Sequence, residues 1–169
     1  MAITRRAFGI VALASLPGLQ ACGFKLRGSS SGANIPFKTL FITVAETSPL
    51  GVELKRNIRA IGGTEIVANA EDADARLEVL SEVRDRVIQS LNSQGRIRQY
   101  TLFYRFSFRV LAKDNAILLP PTEIVLKRDI SFNESQVLAK ESEEGLLYRD
   151  MQSDLVQQIM RRLAAIKPA

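Results

Sequence analysis

The side chains able to do chemistry in this 169-residue chain are unevenly stocked, with no histidine and one cysteine, Cys22. Without imidazole the commonest general base and metal ligand is missing. Zinc sites built from His and Cys, Ser-His-Asp triads and Cys-His pairs are therefore excluded. Carboxylates remain, since paired acids serve glycosidases and clustered acids bind calcium. Glu71, Asp72 and Asp74 form one cluster, and Glu141, Glu143 and Glu144 another. The first lacks the glycine and spacing of a calcium loop. The second falls on a helical stretch, so both read as solvated faces. We expect no enzyme, no metal and no small-molecule cofactor; binding is the chemistry left.

Cys22 has a context of its own. Arg5 and Arg6 precede an apolar run from Ala7 to Leu16, and Leu19-Gln20-Ala21 lead into the cysteine. A membrane span needs about 20 apolar residues. Ala7 to Ala21 holds 15, is interrupted by Pro17-Gly18 and ends in small residues, as a cleavable signal does. The arrangement resembles a bacterial lipoprotein signal. That resemblance implies removal of residues 1–21 and a diacylglycerol and an N-acyl chain carried on Cys22. Gly23, rather than Asp, at the next position is the pattern of delivery to the outer membrane. The expected location is thus the outer membrane, lipid-anchored on its periplasmic side. The run Thr4-Arg5-Arg6-Ala7-Phe8 suits a twin-arginine route as well as an ordinary basic start.

Cleavage leaves 148 residues, enough for one domain with a sizeable core. It removes two arginines and no acid, so the formal charge falls from +5 to about +3, with no basic stripe of the kind that binds nucleic acid. With one cysteine the exported chain makes no internal disulfide, and its fold rests on packing and hydrogen bonds.

The elements that must position any binding residues follow in order. Residues 22–35 include Gly28-Ser29-Ser30-Ser31-Gly32-Ala33-Asn34, a composition that behaves as flexible coil, so they read as a lipidated tether ahead of a single domain at 36–169. Phe37 to Ala45 is β-branched and apolar and suits a strand. Ser48-Pro49 then offers an N-cap and a helix-starting proline; Leu50, Leu54, Ile58 and Ile61 form one helical stripe, which Gly62-Gly63 ends.

From Ala75 to Leu91 alternation predicts a strand with Ala75, Leu77, Val79, Val83 and Val87 on one face, and Arg76, Glu78, Glu82, Arg84 and Arg86 on the other. Asn92-Ser93-Gln94-Gly95 supplies a turn into a partner strand whose apolar face runs from Tyr100 to Val110. Lys113-Asp114-Asn115 turns the chain again into a strand through Ile124, Leu126, Ile130 and Phe132. Pro120-Pro121 marks that stretch as an edge or a loop. From Glu134 to Ile166, Leu147, Met151, Leu155, Ile159 and Leu163 recur every four residues, with Gly145 a possible break. The order predicts an α+β fold, two helices packed on one face of a small, about four-stranded mixed or antiparallel sheet.

Four stretches, in order and spacing, carry a resemblance to a known family: Cys22-Gly23-Phe24-Lys25-Leu26-Arg27-Gly28, Leu54-Lys55-Arg56-Asn57-Ile58, the hairpin from Gly95 to Tyr100, and Asn133-Glu134-Ser135-Gln136-Val137-Leu138-Ala139-Lys140-Glu141. Together they resemble LptE, the lipopolysaccharide-assembly lipoproteins. The resemblance implies two helices on one side of a small sheet, and a position inside the LptD β-barrel as a plug of the translocon that places lipopolysaccharide in the outer leaflet. It also implies direct lipopolysaccharide binding. Lys140 stands at the matching Leu-Ala-Lys position, and Arg96 and Arg98 lie just past the hairpin turn the family implicates. Lys and Arg suit phosphates through charge-assisted hydrogen bonds. The residues alone leave a second reading open, a generic periplasmic scaffold or adaptor lipoprotein that holds envelope proteins at the membrane.

Overall fold

The structure, a computed structural model, describes residues 34–45, 47–132 and 136–167; the signal segment, Cys22 and the tether as far as residue 33 lie outside them. Ile35, at the end of the expected tether, is already buried in the core. Strand β1 (Thr39–Thr43) turns Leu40 and Ile42 inward. Helix α1 (Pro49–Ile61) begins as expected: Ser48 Oγ accepts from the Gly51 N–H at 3.3 Å, and Pro49 fills the first turn. It ends at Gly62, whose φ of 76° suits a residue without Cβ. Leu50, Leu54 and Ile58 are its buried stripe, while Ile61 is exposed. Gly51 lets the helix approach β1, since a Cβ there would lie 2.6 Å from Val44 Cγ1.

Strand β2 (Glu65–Ile66) pairs parallel to β1, Thr39 opposite Glu65. A 3₁₀ turn at Ala70–Asp72 then leads to β3 (Ala75–Leu91), which is parallel to β1 from Leu40 opposite Ala75 to Thr43 opposite Glu78. Strands β4 (Ile97–Ala112) and β5 (Ile117–Ser131) continue antiparallel, giving a five-stranded mixed sheet in the order β2-β1-β3-β4-β5. The strand missing from the four expected is β2, two residues too short to show a period. Pro120 and Pro121 do lie on the edge strand, in a bulge: Leu119 pairs with Val110 and Thr122 with Phe108, so both prolines oppose Arg109 alone. Helix α2 (Val137–Ala164) runs unbroken through Gly145 for 28 residues, roughly 42 Å at 1.5 Å per residue.

One expectation is overturned within β3. Val79 pairs with Phe108 and Ser81 with Ser107, so Leu80 is an extra residue, a β-bulge that reverses which positions face inward. Before it Ala75, Leu77 and Val79 pack with the core. After it Glu82, Arg84 and Arg86 lie opposite Phe106, Tyr104 and Leu102, on the face that carries the helices. Val83 and Val87 are turned to the open face, 46% and 43% exposed. The apolar alternation read straight through from Val79 to Val87 was therefore in the wrong register beyond Leu80.

The inward charges are matched. Arg84 donates to Tyr104 Oη at 2.8 Å and to Gln152 Oε1 at 3.0 Å, and the Tyr104 hydroxyl donates to Glu82 at 2.6 Å. Gln152 in turn donates to Glu53 at 2.7 Å, so one network joins β3, β4, α2 and α1. The Arg84 guanidinium sits 4.5 Å from the Tyr104 ring centroid. Burial, then the bond donated to Glu82, holds the Tyr104 phenol above its ordinary range, with Arg84 opposing.

Two outcomes follow from this register. In urea denaturation Phe106→Ala should cost about 3–5 kcal/mol and Val83→Ser under about 1 kcal/mol; equal losses would place both on one face and remove the bulge. Because Tyr104 ionises later in the folded than in the unfolded chain, its contribution to stability is complete below about pH 10 and is lost as the pH rises beyond it. Phenolate absorbance should show that Tyr104→Phe deletes the most alkaline tyrosine step, and survival of that step would contradict the network.

Candidate functional site

The basic residues singled out in the sequence come from two separate stretches, the β3–β4 hairpin and the start of α2, and gather at one end of the sheet. Arg96 closes the β3–β4 turn, where Asn92 Oδ1 accepts from the N–H groups of Gln94 at 3.0 Å and Arg96 at 2.9 Å. Arg98 lies beside the end of β5, its carbonyl accepting from the Phe132 N–H at 2.8 Å. Lys140, in the first turn of α2, reaches back to the same strand end and donates to Ser131 Oγ at 3.3 Å. Its side chain is only 17% exposed, unlike an ordinary surface lysine. Arg96 and Arg98 are exposed.

Lys140 borders a cleft of about 130 Å³ between the first turns of α2 and the strand ends. Tyr100, Ile130 and Phe132 give it an apolar floor, with the Tyr100 and Phe132 rings edge to face at 5.3 Å. Arg86 forms the opposite side, its guanidinium 5.3 Å over the Tyr100 ring. Each cation is held by an acid of α2: Lys140 by Glu143 at 2.7 Å, and Arg86 by Glu144 at 3.2 Å. Arg86 was missed in the sequence because the bulge at Leu80 was missed; without it Arg86 points to the other face. A larger groove of about 320 Å³ beside β1 and β2 has Lys55 as its single charged residue and no aromatic floor beyond Phe41, so it offers less to an anionic ligand.

The acidic clusters have structural work. Asp74 clamps β1 to β3, since its carboxylate accepts from the Thr39 N–H at 3.0 Å while its own N–H donates to Thr39 Oγ1 at 2.8 Å. The Thr39 backbone N–H first, then the Thr39 hydroxyl, hold its carboxyl below the usual range. Asp72 accepts from Asn69 at 3.1 Å, and Glu71 is exposed. Among the described residues no group of three or more acids is placed to hold a metal ion. No described helix is long and apolar enough to cross a membrane.

Comparison with known proteins covers most of the chain. The chain is 27% identical over 149 residues to the LPS-assembly lipoprotein LptE of Pectobacterium atrosepticum, covering 86% of this chain and 78% of that one. It is 26% identical over 153 residues to the LptE of Photorhabdus laumondii, covering 88% and 80%. Its fold matches the solution structure of an uncharacterised lipoprotein B from Nitrosomonas europaea with a TM-score of 0.71 at 39% identity, over 85% of this chain and 91% of that one. The family model for LptE, lipopolysaccharide-assembly, matches residues 37–163, from the approach to β1 to the last turn of α2, and the chain belongs to that family.

Proposed function

We propose that this chain is an outer-membrane lipoprotein that plugs an LptD-like barrel and binds lipopolysaccharide as it passes to the outer leaflet. The observation that carries the reading is the gathering of Lys140, Arg96 and Arg98 at one end of the sheet beside an apolar, aromatic cleft. Lipopolysaccharide offers phosphates and acyl chains together, and cations beside an apolar floor suit both. Family membership supports the same ligand.

β1 begins where Leu40, Ala75 and Ala112 lie in register, at the end of the sheet opposite the cleft. From Ala112 to Tyr100 along β4 is roughly 40 Å at about 3.3 Å per residue. That span is comparable to a bilayer with its headgroups.

The open face of the sheet suits a polar barrel lumen. Its charges are paired across strands, Arg109 with Glu78 at 2.7 Å and Arg105 with Asp85 at 2.7 Å, and Thr101 donates to Asp129 at 2.5 Å. These pairs keep their hydrogen bonds beside water or a polar wall.

Gentle detergent extraction should co-purify the chain with a large β-barrel; recovery without one would remove the plug reading and favour an adaptor lipoprotein. Lys140→Asp with Arg96→Asp should weaken lipopolysaccharide binding about tenfold or more while helix content and barrel association persist, and unchanged binding would show the cations are misassigned. Cys22→Ser should release the protein from membranes more than from the barrel. Collapse of the barrel complex around a folded Cys22→Ser chain would refute the tether role.

A further inference from the structure

The cleft beside Lys140 holds a second cation and two acids with a specific arrangement. Arg86 comes from β3 and Lys140 from α2, on two sides of the Tyr100, Ile130 and Phe132 floor. Glu143 takes Lys140 at 2.7 Å and Glu144 takes Arg86 at 3.2 Å, so consecutive residues of α2 neutralise both sides of the opening. The Arg86 side chain is still 57% exposed, and its guanidinium fork is open to an incoming group. The cations suited to a phosphate are thus held by carboxylates of the same chain.

We propose that Arg86 and Lys140 together grip a phosphate of an amphiphile whose apolar part lies on Tyr100, Ile130 and Phe132, and that Glu143 and Glu144 are internal competitors that take the cations back when the ligand leaves. This rests on lipopolysaccharide as the ligand of the cleft. A phosphate can accept from both cations at once, and with its apolar part seated on the floor the ligand displaces the acids. Each partly exposed ion pair is weak, so breaking it opposes binding only modestly. Once displaced, both carboxylates remain within a turn of the phosphate and repel it. The result is a site that exchanges its anion readily, which suits a lipid in transit and not one stored.

The test uses the full chain in one detergent, titrated with purified lipopolysaccharide, with the same material dephosphorylated, and with inorganic phosphate. Lipopolysaccharide should bind tightest, the dephosphorylated form at least tenfold weaker, and inorganic phosphate weaker than either. Equal binding of the dephosphorylated form would overturn the phosphate grip. Arg86→Gln should weaken lipopolysaccharide binding about as much as Lys140→Gln; no loss with Arg86→Gln would remove it from the site. Glu143→Gln with Glu144→Gln should tighten binding about threefold to tenfold and slow dissociation. Asp150→Asn, an exposed acid elsewhere on α2, makes the one-charge control. A gain from Asp150→Asn equal to half that of the double variant would reduce the effect to net charge and sink the competitor role. If Lys140→Gln binds like the unaltered chain, the lipopolysaccharide reading of this cleft fails. If Lys140→Gln weakens binding but the Glu143 and Glu144 variant does not tighten it, only the internal competition fails.

Discussion

One inserted residue decides what the helices of this protein meet. Leu80 is an extra position in β3 opposite the Phe108 to Ser107 step of β4, and because strand side chains alternate, it exchanges the two faces from Ser81 to Ile88. Ahead of the bulge β3 behaves as a core strand, with Ala75 and Leu77 fully buried. Beyond it, Glu82, Arg84 and Arg86 turn toward α2, and the valines turn to the open face. The inward charged row is placed where β1 has already left the sheet, since β1 pairs only as far as Glu78. Water can reach that edge, so these charges escape the full penalty of a dry core.

Energies divide the labour between the apolar and polar parts of the α2 interface. Met151, Leu155, Ile159 and Leu163 are fully buried. At roughly 1.5–3 kcal/mol each they supply most of the docking energy of the helix. A net hydrogen bond is worth only about 1 kcal/mol, but an unmade buried one costs as much or more. Gln152 must meet both Arg84 and Glu53, and Tyr148 must reach the Asp85 carbonyl at 3.0 Å. Sliding α2 by one turn would keep apolar contacts and break all of these. The network thus sets the register in which Lys140 and Glu144 arrive at the cleft.

What the residues disclose in advance is whatever depends on local chemistry. The Ser48-Pro49 start and Gly62 stop of α1, the Asn92 to Gly95 turn, the stripe of α2 and the edge position of Pro120-Pro121 are all read from side chains that act on their own backbone. The bulge at Leu80 acts through pairing with β4, and nothing in Val79-Leu80-Ser81 announces it. Worse for a reader of periods, Val83 and Val87 keep the earlier parity while pointing outward, so the pattern continues unbroken across the reversal. Lys140 was legible through resemblance, whereas Arg86 was not, because its place in the cleft exists only after the bulge. Asp74 likewise shows its purpose only when Thr39, 35 residues earlier, lies beside it.

The same geometry bears on why the cleft is neutralised. An unpaired Arg86 and Lys140 beside exposed Arg96 and Arg98 would make a cationic mouth open to any polyanion, since such attraction is long-ranged and indifferent to shape. Pairing Arg86 with Glu144 and Lys140 with Glu143 lowers that attraction for every anion alike. Only a ligand that also covers the Tyr100, Ile130 and Phe132 floor recovers enough free energy to displace the acids. Selectivity then comes from requiring both halves of an amphiphile at once, with a penalty set against ligands that bring charge alone. The bulge in β3 supplies one of the two cations and the register of α2 the other, so this requirement is built by the same two constraints that set the core.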